Sequence, residues 1–236
     1  GVMNEGYYST ILGLNGIPAI AEEAMIARDI LIAEFTKTAV HIAHVSTAGS
    51  VRLIRDAKTR GLKVTAETAP HYFTLTDESL QSYDTNFKVN PPLRTEQDIQ
   101  AIKEGLADGT LDAIACDHAP HGRTDKEVEF EYAANGISGL ETSLGLSLHL
   151  IHSKILTWPE LITRMSLNPA RILNLPKGTL ETGADADITV IDPLRPWTVD
   201  VHAFRSRGKN SPFNGRQMQG KAILTIVGGE IKYDGR

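Results

Sequence analysis

An acidic residue and two histidines follow a short apolar run near the middle of the chain. Residues 113–116 are small and apolar, as in a buried strand, and Asp117, His118, Pro120 and His121 come directly after them. A carboxylate and two imidazoles at the carboxyl end of a buried strand are costly unless a metal ion or a substrate pairs with them. The cluster therefore predicts a metal or substrate site, and a strand end with satisfied polar groups is the alternative.

The residues of this cluster are suited to different roles. Carboxylates and imidazoles are common zinc ligands, and zinc lowers the pKa of its bound water to ~7. Asp117 fits a metal ligand, a general base that takes a proton from this water, or both. Pro120 fixes a turn, which would aim His121 at a bound ligand.

Two further histidines, His41 and His44, lie three residues apart in a segment that we predict to be a strand, residues 40–45. Side chains of a strand alternate between its faces, so we expect the two rings to point in opposite directions. Only one of them can then enter a shared metal site. The periodicity does not choose between them, and a structural role is the alternative for each.

Three other segments contain candidate functional residues. Residues 90–94 (NPPLR) form a rigid, extended loop, for which a simple linker is the alternative. Glu67 lies near the end of a predicted strand and His71 follows it; lining the pocket is one role for them, and support of the site fits them better. Residues 122–131 are acidic and polar, which fits either a mobile lid or a solvated connection.

Helical and strand patterns alternate through the first part of the chain. We predict helices at residues 18–35, 50–60 and 95–106, and strands at residues 40–45, 63–68 and 112–116. This alternation is typical of an α/β fold with a parallel sheet, in which chemistry lies at the carboxyl ends of the strands. After about residue 175 turn residues become frequent and short strands follow, with Gly228 and Gly229 as a hairpin turn. We therefore predict two domains, residues 1–175 and a small β domain of residues 176–236.

Composition excludes several classes of protein. The chain has 236 residues, 41% of them hydrophobic, a net charge of −5 and no basic run, so no nucleic-acid surface is expected. No apolar stretch of ~18 residues and no signal pattern occur, which argues against a membrane span and secretion. The single cysteine, Cys116, fits a reducing compartment, and we expect a cytoplasmic protein.

Taken together, these motifs resemble the amidohydrolase superfamily and, within it, the zinc-dependent bacterial dihydroorotases. The segments 117–121 (DHAPH) and 90–94 (NPPLR) are the most specific ones. The match continues in the segments 41–47 (HIAHVST), 64–71 (VTAETAPH), 136–142 (GISGLET), 166–170 (SLNPA), 183–187 (GADAD), 211–213 (SPF) and 220–221 (GK).

The resemblance implies a fold, a reaction and a set of site residues. The fold would be the carboxyl-terminal part of a (β/α)₈ TIM-type barrel with a small β-sandwich. The reaction would be reversible hydrolysis of the cyclic amide of (S)-dihydroorotate to N-carbamoyl-L-aspartate in pyrimidine biosynthesis. His44 and Asp117 would bind zinc, with Asp117 also the general acid and base. The substrate would be bound by Asn90, His121 and the backbone of Asn135 and Gly136.

This chain departs from the family pattern in one respect. The His-x-His motif of the first barrel strand, the arginine after it, the bridging acid and the histidine of the fifth strand are absent. We therefore expect the chain to be the carboxyl-terminal half of the protein, with the remaining ligands of one or two zinc ions in a missing amino-terminal half. Half a parallel barrel has an open sheet edge and an exposed apolar face, so we expect the isolated chain to aggregate or to dimerise over that edge. We also expect the protein to be a homo-oligomer.

Two other functions fit the same motifs. One is a hydantoinase or allantoinase, which also opens cyclic amides; dihydroorotase is favoured because His121 suits the substrate carboxylate, which hydantoins lack. The other is a non-catalytic dihydroorotase-like subunit that supports aspartate carbamoyltransferase. Such a subunit has no physical need for His44, Asp117 and His121.

The missing ligands lead to a prediction for the isolated chain. A catalytic zinc site has three protein ligands and a water, and only two ligands are expected here. The chain alone should neither retain zinc after dialysis nor hydrolyse dihydroorotate. Metal analysis and an activity assay check this, and one zinc per chain together with turnover would contradict it.

Overall fold

The computed structural model describes residues 1–236, and its first part alternates short strands with helices, which confirms the predicted α/β class. The elements in chain order are β1 (Met3–Asn4), α1 (Tyr7–Leu12), β2 (Gly16–Ile17), α2 (Ala19–Thr36), β3 (Val40–Ile42), α3 (Ala48–Thr59), β4 (Val64–Thr68), α4 (Glu96–Asp108), β5 (Ala113–Ile114) and α5 (Arg123–Lys126). Three 3₁₀ segments between β4 and α4 span Pro70–Phe73, Asp77–Ser82 and Thr85–Phe87. None of the helices is both long enough and apolar enough to span a membrane.

The predicted helices begin and end where local capping chemistry places them. The Thr47 hydroxyl accepts a hydrogen bond from the Ser50 amide at the start of α3. Thr95 and Asp98 form a reciprocal capping box at the start of α4, and Gly109 ends that helix in the left-handed conformation. Side-chain caps satisfy the first amides of a helix, which is why the start of α4 after Thr95 is readable in the sequence. α3 begins at Ala48, two residues before its predicted start.

The strands β3, β4 and β5 form a three-stranded parallel sheet in that order, as the alternation predicts. Val40 pairs with Val64, and Glu67 pairs with Ala113. β1 and β2 form a separate parallel pair. The three-stranded sheet is open, and all three strands end at the same edge, so the residues that follow them lie close together.

Two strands are shorter than predicted. β3 ends at Ile42 rather than at residue 45, and the predicted strand 112–116 is reduced to the two residues of β5. The backbone leaves the extended conformation at His44 and at Asp117, whose φ angles are 57° and 46°. Ile42, Val45, Ala113 and Ile114 are buried as the apolar pattern predicts, whereas Ala115 and Cys116 are only half-buried. The pattern did not show where the chain turns.

The outer side of α2 is apolar and exposed. Ile26, Ile30 and Ala33 are buried, whereas Leu31 and Phe35 keep 63% and 89% of their surface exposed. Apolar side chains in a row on one exposed helix face favour association with another protein segment.

The chain divides into two compact units, and the second is built around an antiparallel sheet. The first unit contains residues 1–140 and 201–212, and the second contains residues 141–200 and 213–236. The elements after α5 are α6 (Ser143–His152), α7 (Trp158–Ile162), a π-helical turn (Thr163–Leu167), α8 (Asn168–Ile172), β6 (Ile188–Thr198), a 3₁₀ turn (Val201–Ala203), β7 (Gln217–Val227) and β8 (Glu230–Asp234).

The second unit contains one sheet of three strands, in the order β6, β7, β8. Gly228 and Gly229 connect β7 to β8, which confirms the predicted hairpin. Helical structure gives way to strands after α8, close to the predicted boundary at residue 175. The boundary itself and the second sheet of a sandwich stay predictions.

A buried arginine, Arg94, joins separate parts of the first unit. Its Nη1 donates to Asn4 Oδ1 at 2.9 Å and to the Ile17 carbonyl at 2.7 Å, and its Nε donates to Ser46 Oγ at 3.2 Å. The Glu22 carboxylate lies 3.8 Å from Nη2 and accepts a hydrogen bond from the Ser46 amide. This network ties the amino terminus and α2 to the turn after β3 and to the loop of residues 90–94.

Replacing Arg94 by Leu should destabilise the fold strongly. The change leaves the Glu22 carboxylate and the other acceptors buried without their cation, for which about 3–5 kcal/mol is the usual loss. Chemical denaturation measures this loss. Arg28→Leu is the control, because Arg28 forms an exposed ion pair with Asp29 and should change stability by no more than about 0.5 kcal/mol. A loss below about 1 kcal/mol for Arg94→Leu would show that the network does not support the fold.

Candidate active site

Four side chains meet at the carboxyl edge of the parallel sheet. His44 follows β3, Glu67 lies in β4, His71 follows β4 and Asp117 follows β5. His44 Nε2 lies 3.7 Å from Asp117 Oδ1, and His71 Nε2 lies 3.7 Å from Asp117 Oδ2. His44 Nδ1 lies 3.3 Å from Glu67 Oε1. The two residues expected to bind metal, His44 and Asp117, therefore face each other.

Both of these residues have a strained backbone. His44 and Asp117 have left-handed φ angles. Residues other than glycine adopt this backbone conformation rarely, and it costs them about 1–3 kcal/mol. In both cases the strained residue comes a few positions after the end of a parallel strand. Such strain persists where the surrounding structure enforces it, and it is concentrated at functional sites.

The early end of β3 also corrects the prediction about His41 and His44. Alternation of faces assumes a continuous strand, but His44 lies beyond its end. Both rings approach the Glu67 carboxylate, at 3.4 Å from His41 Nε2 and 3.3 Å from His44 Nδ1. The expectation that the rings point in opposite directions was therefore wrong. His41 also bonds Thr65 Oγ1 at 2.9 Å, and of the two histidines only His44 reaches Asp117.

Two imidazole nitrogens of this cluster are buried without a hydrogen bond. His44 Nδ1 and His71 Nε2 are buried and have no hydrogen-bond partner, which is rare for polar atoms in folded proteins. Burial, with a smaller effect of His44, lowers the pKa of His71 to about 3, so its ring stays neutral. Burial also raises the pKa of Asp117, Glu67 adds to this effect and His44 opposes it. A neutral His71 ring and a desolvated Asp117 carboxylate are groups that a cation would satisfy.

The cluster fits a partial zinc site. His44 and Asp117 offer a nitrogen and an oxygen ligand, but no group of three or more His, Cys, Asp or Glu side chains is arranged to hold a metal ion. A catalytic zinc has three protein ligands and an open position for water. The donors are of the right kind, and further ligands from outside this chain would be needed to complete the set.

Glu67 has the position of a residue that orients a metal ligand. Its carboxylate lies beside His44 Nδ1, so Nε2 is the nitrogen that points towards Asp117. A carboxylate next to the far nitrogen of a ligating histidine commonly fixes the orientation of the ring. This arrangement agrees with the supporting role expected for Glu67.

The residues expected to bind substrate form a second group around His121. His121 Nε2 lies at hydrogen-bond distance, 2.9 Å, from the Asn135 carbonyl. The His121 amide donates to Asn210 Oδ1 at 2.9 Å, and Asn210 Nδ2 donates to the Gly136 carbonyl at 3.0 Å. The Gly136 amide donates to the Lys88 carbonyl at 2.9 Å. His121, Asn135 and Gly136 are thus brought together by hydrogen bonds.

Asn90 lies two residues after Lys88, and its exposed side chain makes no hydrogen bond within the chain. The Tyr72 hydroxyl donates a hydrogen bond to the Pro91 carbonyl at 2.9 Å and so helps to hold this loop in place. In the same motif Arg94 is buried in the structural network. The motif therefore combines one free amide that can bind a ligand with one arginine that supports the fold.

His118 makes two polar contacts in the structure. His118 Nδ1 accepts a hydrogen bond from the Leu140 amide at 3.3 Å, and Nε2 lies 3.5 Å from Ser206 Oγ, which agrees with a supporting role. Residues 122–131, for which a lid and a solvated connection were the two interpretations, contain the short helix α5. A cavity of about 680 Å³ opens beside His121 and is also lined by Thr85, Arg123 and Arg207.

The sequence did not single out Asn210 or the buried lysines of this region. Asn210 bonds His121, Ala119 and Gly136, although it lies about 90 residues from His121 along the chain. The motif of residues 211–213 directly after it was the available signal. A polar residue in a loop has no periodicity, so only the folded chain reveals its partners.

Comparison with known proteins gives a consistent result. Residues 21–232 match the amidohydrolase family. The dihydroorotases of Syntrophus aciditrophicus and Geobacter metallireducens are 64% and 60% identical over 233 residues, which cover 99% of this chain and 55% of each relative. The chain thus spans about half the length of the curated relatives that it matches.

Two solved structures are similar over most of this chain and about half of their own. The L-hydantoinase from Arthrobacter aurescens has a TM-score of 0.86 and 32% identity, covering 90% of this chain and 49% of its own. The dihydropyrimidinase from Brevibacillus agri NCHU1002 has a TM-score of 0.89 and 24% identity, covering 99% of this chain and 52% of its own. At that lower identity only the fold is supported.

Replacing Gly136 by Ala should disrupt the group around His121. Gly136 has φ +138°, and an added Cβ would lie 2.4 Å from Ala119 Cβ and 3.2 Å from His121 Nε2. Left-handed strain adds about 1–2 kcal/mol and overpacking a further 1–3 kcal/mol, so chemical denaturation should show a loss of about 3 kcal/mol. Gly61→Ala is the matched control, since Gly61 has φ +80° and no atom near the added Cβ. Equal losses for both variants would mean that close packing at Gly136 is unimportant.

Proposed function

The chain belongs to the amidohydrolase family, and from this premise we propose that it is the carboxyl-terminal part of a zinc-dependent dihydroorotase. Its reaction would be the reversible hydrolysis of (S)-dihydroorotate to N-carbamoyl-L-aspartate. The observation that carries the proposal is the pair His44 and Asp117, held face to face by strained backbone beside the buried His71. Similarity to dihydroorotases over 99% of the chain supports the choice of substrate.

His44 Nε2 and Asp117 are the residues of this chain that would hold zinc, and the other ligands would come from residues outside it. A zinc ion held there would supply Lewis-acid chemistry and would lower the pKa of a water molecule. In the same way, the parallel sheet would be part of a (β/α)₈ barrel that those residues complete. Membership of the family and the 55% coverage of the relatives support both statements.

Asp117 would also move the proton that ring opening requires. Its carboxylate takes a proton from the attacking water and delivers it to the amide nitrogen as the C–N bond breaks. Burial raises the pKa of Asp117 and brings it nearer to neutral pH, where an acid and base works best. His71 stays neutral beside it and brings no competing positive charge.

Asn90, His121 and the backbone of Asn135 and Gly136 would bind the substrate. His121 Nε2 lies 2.9 Å from the Asn135 carbonyl, so Nδ1 is the ring nitrogen left to face the substrate. Asn90 supplies a free amide, and Gly136 leaves room because it lacks a Cβ.

Hydantoin-type substrates are the nearest alternative, because an L-hydantoinase structure is 32% identical. Hydantoins lack the carboxylate that His121 would bind. Identity with dihydroorotases is about twice as high, at 64%. A non-catalytic role as a subunit is disfavoured because it does not explain the strained backbone at His44 and Asp117.

The proposal predicts the effect of Asp117→Asn in the complete polypeptide that carries this chain. The change removes a metal ligand and the proton carrier, so hydrolysis of dihydroorotate should fall by about 10³-fold or more. Initial rates in both directions measure it, and hydantoin serves as the competing substrate. Asp56→Asn on the exposed side of α3 is the control. The proposal would be wrong if the unmodified protein opened the ring of hydantoin but not that of dihydroorotate.

A further inference from the structure

Two lysines of the first unit are almost fully buried and lie outside the reacting groups. Lys88 and Lys126 keep only 3% and 4% of their surface exposed. Lysine is almost never fully buried unless its ammonium group is paired, because removing the charge from water is costly. Their position therefore requires a compensating interaction.

Neither lysine forms a salt bridge, and main-chain carbonyls take the place of an acidic partner. Lys126 Nζ donates to the carbonyls of Ala134 at 2.8 Å and Gly136 at 3.2 Å, and the Lys88 carbonyl lies 3.5 Å away. An ammonium group has three donors and no acceptor, and here each donor has one carbonyl to meet. Burial lowers the pKa of Lys126 to about 8, which is the cost that these carbonyls offset.

Lys88 holds the same loop at its other end. Its Nζ donates to the carbonyls of Phe130 and Glu131, both at 2.8 Å, and lies 5.5 Å from the centre of the Phe130 ring. Its own carbonyl accepts the Gly136 amide at 2.9 Å. Hydrogen bonds from the two lysines thus hold both ends of the segment 127–136. This segment contains no strand and no helix.

We propose that Lys126 and Lys88 are positioning residues that fix the backbone of Asn135 and Gly136 for substrate binding; this inference rests on the proposed function. The Gly136 amide meets the Lys88 carbonyl, and the Gly136 carbonyl meets the Lys126 ammonium. The Asn135 carbonyl between them engages His121 Nε2. The same contacts join this loop to Lys88, two residues before Asn90, so the lysines set the spacing between two substrate-binding segments.

The first test compares Lys126→Met and Lys88→Met with Lys63→Met in the complete polypeptide. Lys63 is exposed and its ammonium group has no partner, so its replacement should have no effect. Each buried variant should speed hydrogen exchange at residues 127–136, including the Gly136 amide, by tenfold or more. The KM for dihydroorotate should rise about tenfold while kcat changes much less, because the lost interaction positions the bound substrate.

Normal exchange at residues 127–136 or an unchanged KM in either buried variant would overturn the inference. A general loss of stability without a KM change would mean a merely structural role. Lys126→Gln keeps two N–H donors on a shorter side chain and should give an intermediate KM.

A second measurement uses the unmodified protein, so it does not depend on folded variants. An amine-reactive label should modify Lys126 and Lys88 far more slowly than Lys63, and N-carbamoyl-L-aspartate should slow their labelling further. Labelling that the ligand does not change would contradict positioning. If the unmodified protein does not open dihydroorotate, the proposed function fails, whereas hydrogen exchange in the variants still decides whether the lysines hold the loop.

Discussion

Parallel pairing of β3, β4 and β5 is the constraint on which the candidate site depends. Parallel strands end at the same edge, so residues that follow different strands meet although the sequence separates them widely. The pairs Val40–Val64 and Glu67–Ala113 fix this register. With the register set, His44 and Asp117 face each other across the edge, and Glu67 lies beside His44. A one-residue slip would reverse the side chains of a strand and take this group apart.

The candidate site contains backbone conformations and buried polar atoms that are unfavourable by themselves. His44 and Asp117 have left-handed backbone, and imidazole nitrogens of His44 and His71 are buried without partners. Folded proteins are only marginally stable, so such features need support from elsewhere. The buried Arg94 network supplies part of that support, because Ser46 follows His44 by two residues and is bonded to both Arg94 and Glu22.

The two groups of candidate site residues are held in place by different interactions. The group of His44 and Asp117 depends on the ends of paired strands. The group around His121 depends on loops, and loops need explicit anchors where no ladder of backbone hydrogen bonds exists. Asn210 and the two buried lysines are these anchors. The lysine ammonium groups and Asn210 Nδ2 donate to main-chain carbonyls, and Asn210 Oδ1 accepts from the His121 amide, so these side chains hold the backbone in place.

The sequence by itself determined the alternation of helices and strands, the helix start at Thr95, and the glycine hairpin of the second unit. These features depend on periodicity and on short-range capping, which neighbouring residues encode. It also singled out Asp117 and His121, because their residue types are costly at the end of a buried strand. Only the tertiary structure decided that β3 stops before His44, that His41 and His44 share Glu67, and that Lys88, Lys126 and Asn210 order the loops. These outcomes depend on contacts between residues far apart in the chain, and no local pattern records which distant partner satisfies a buried polar group.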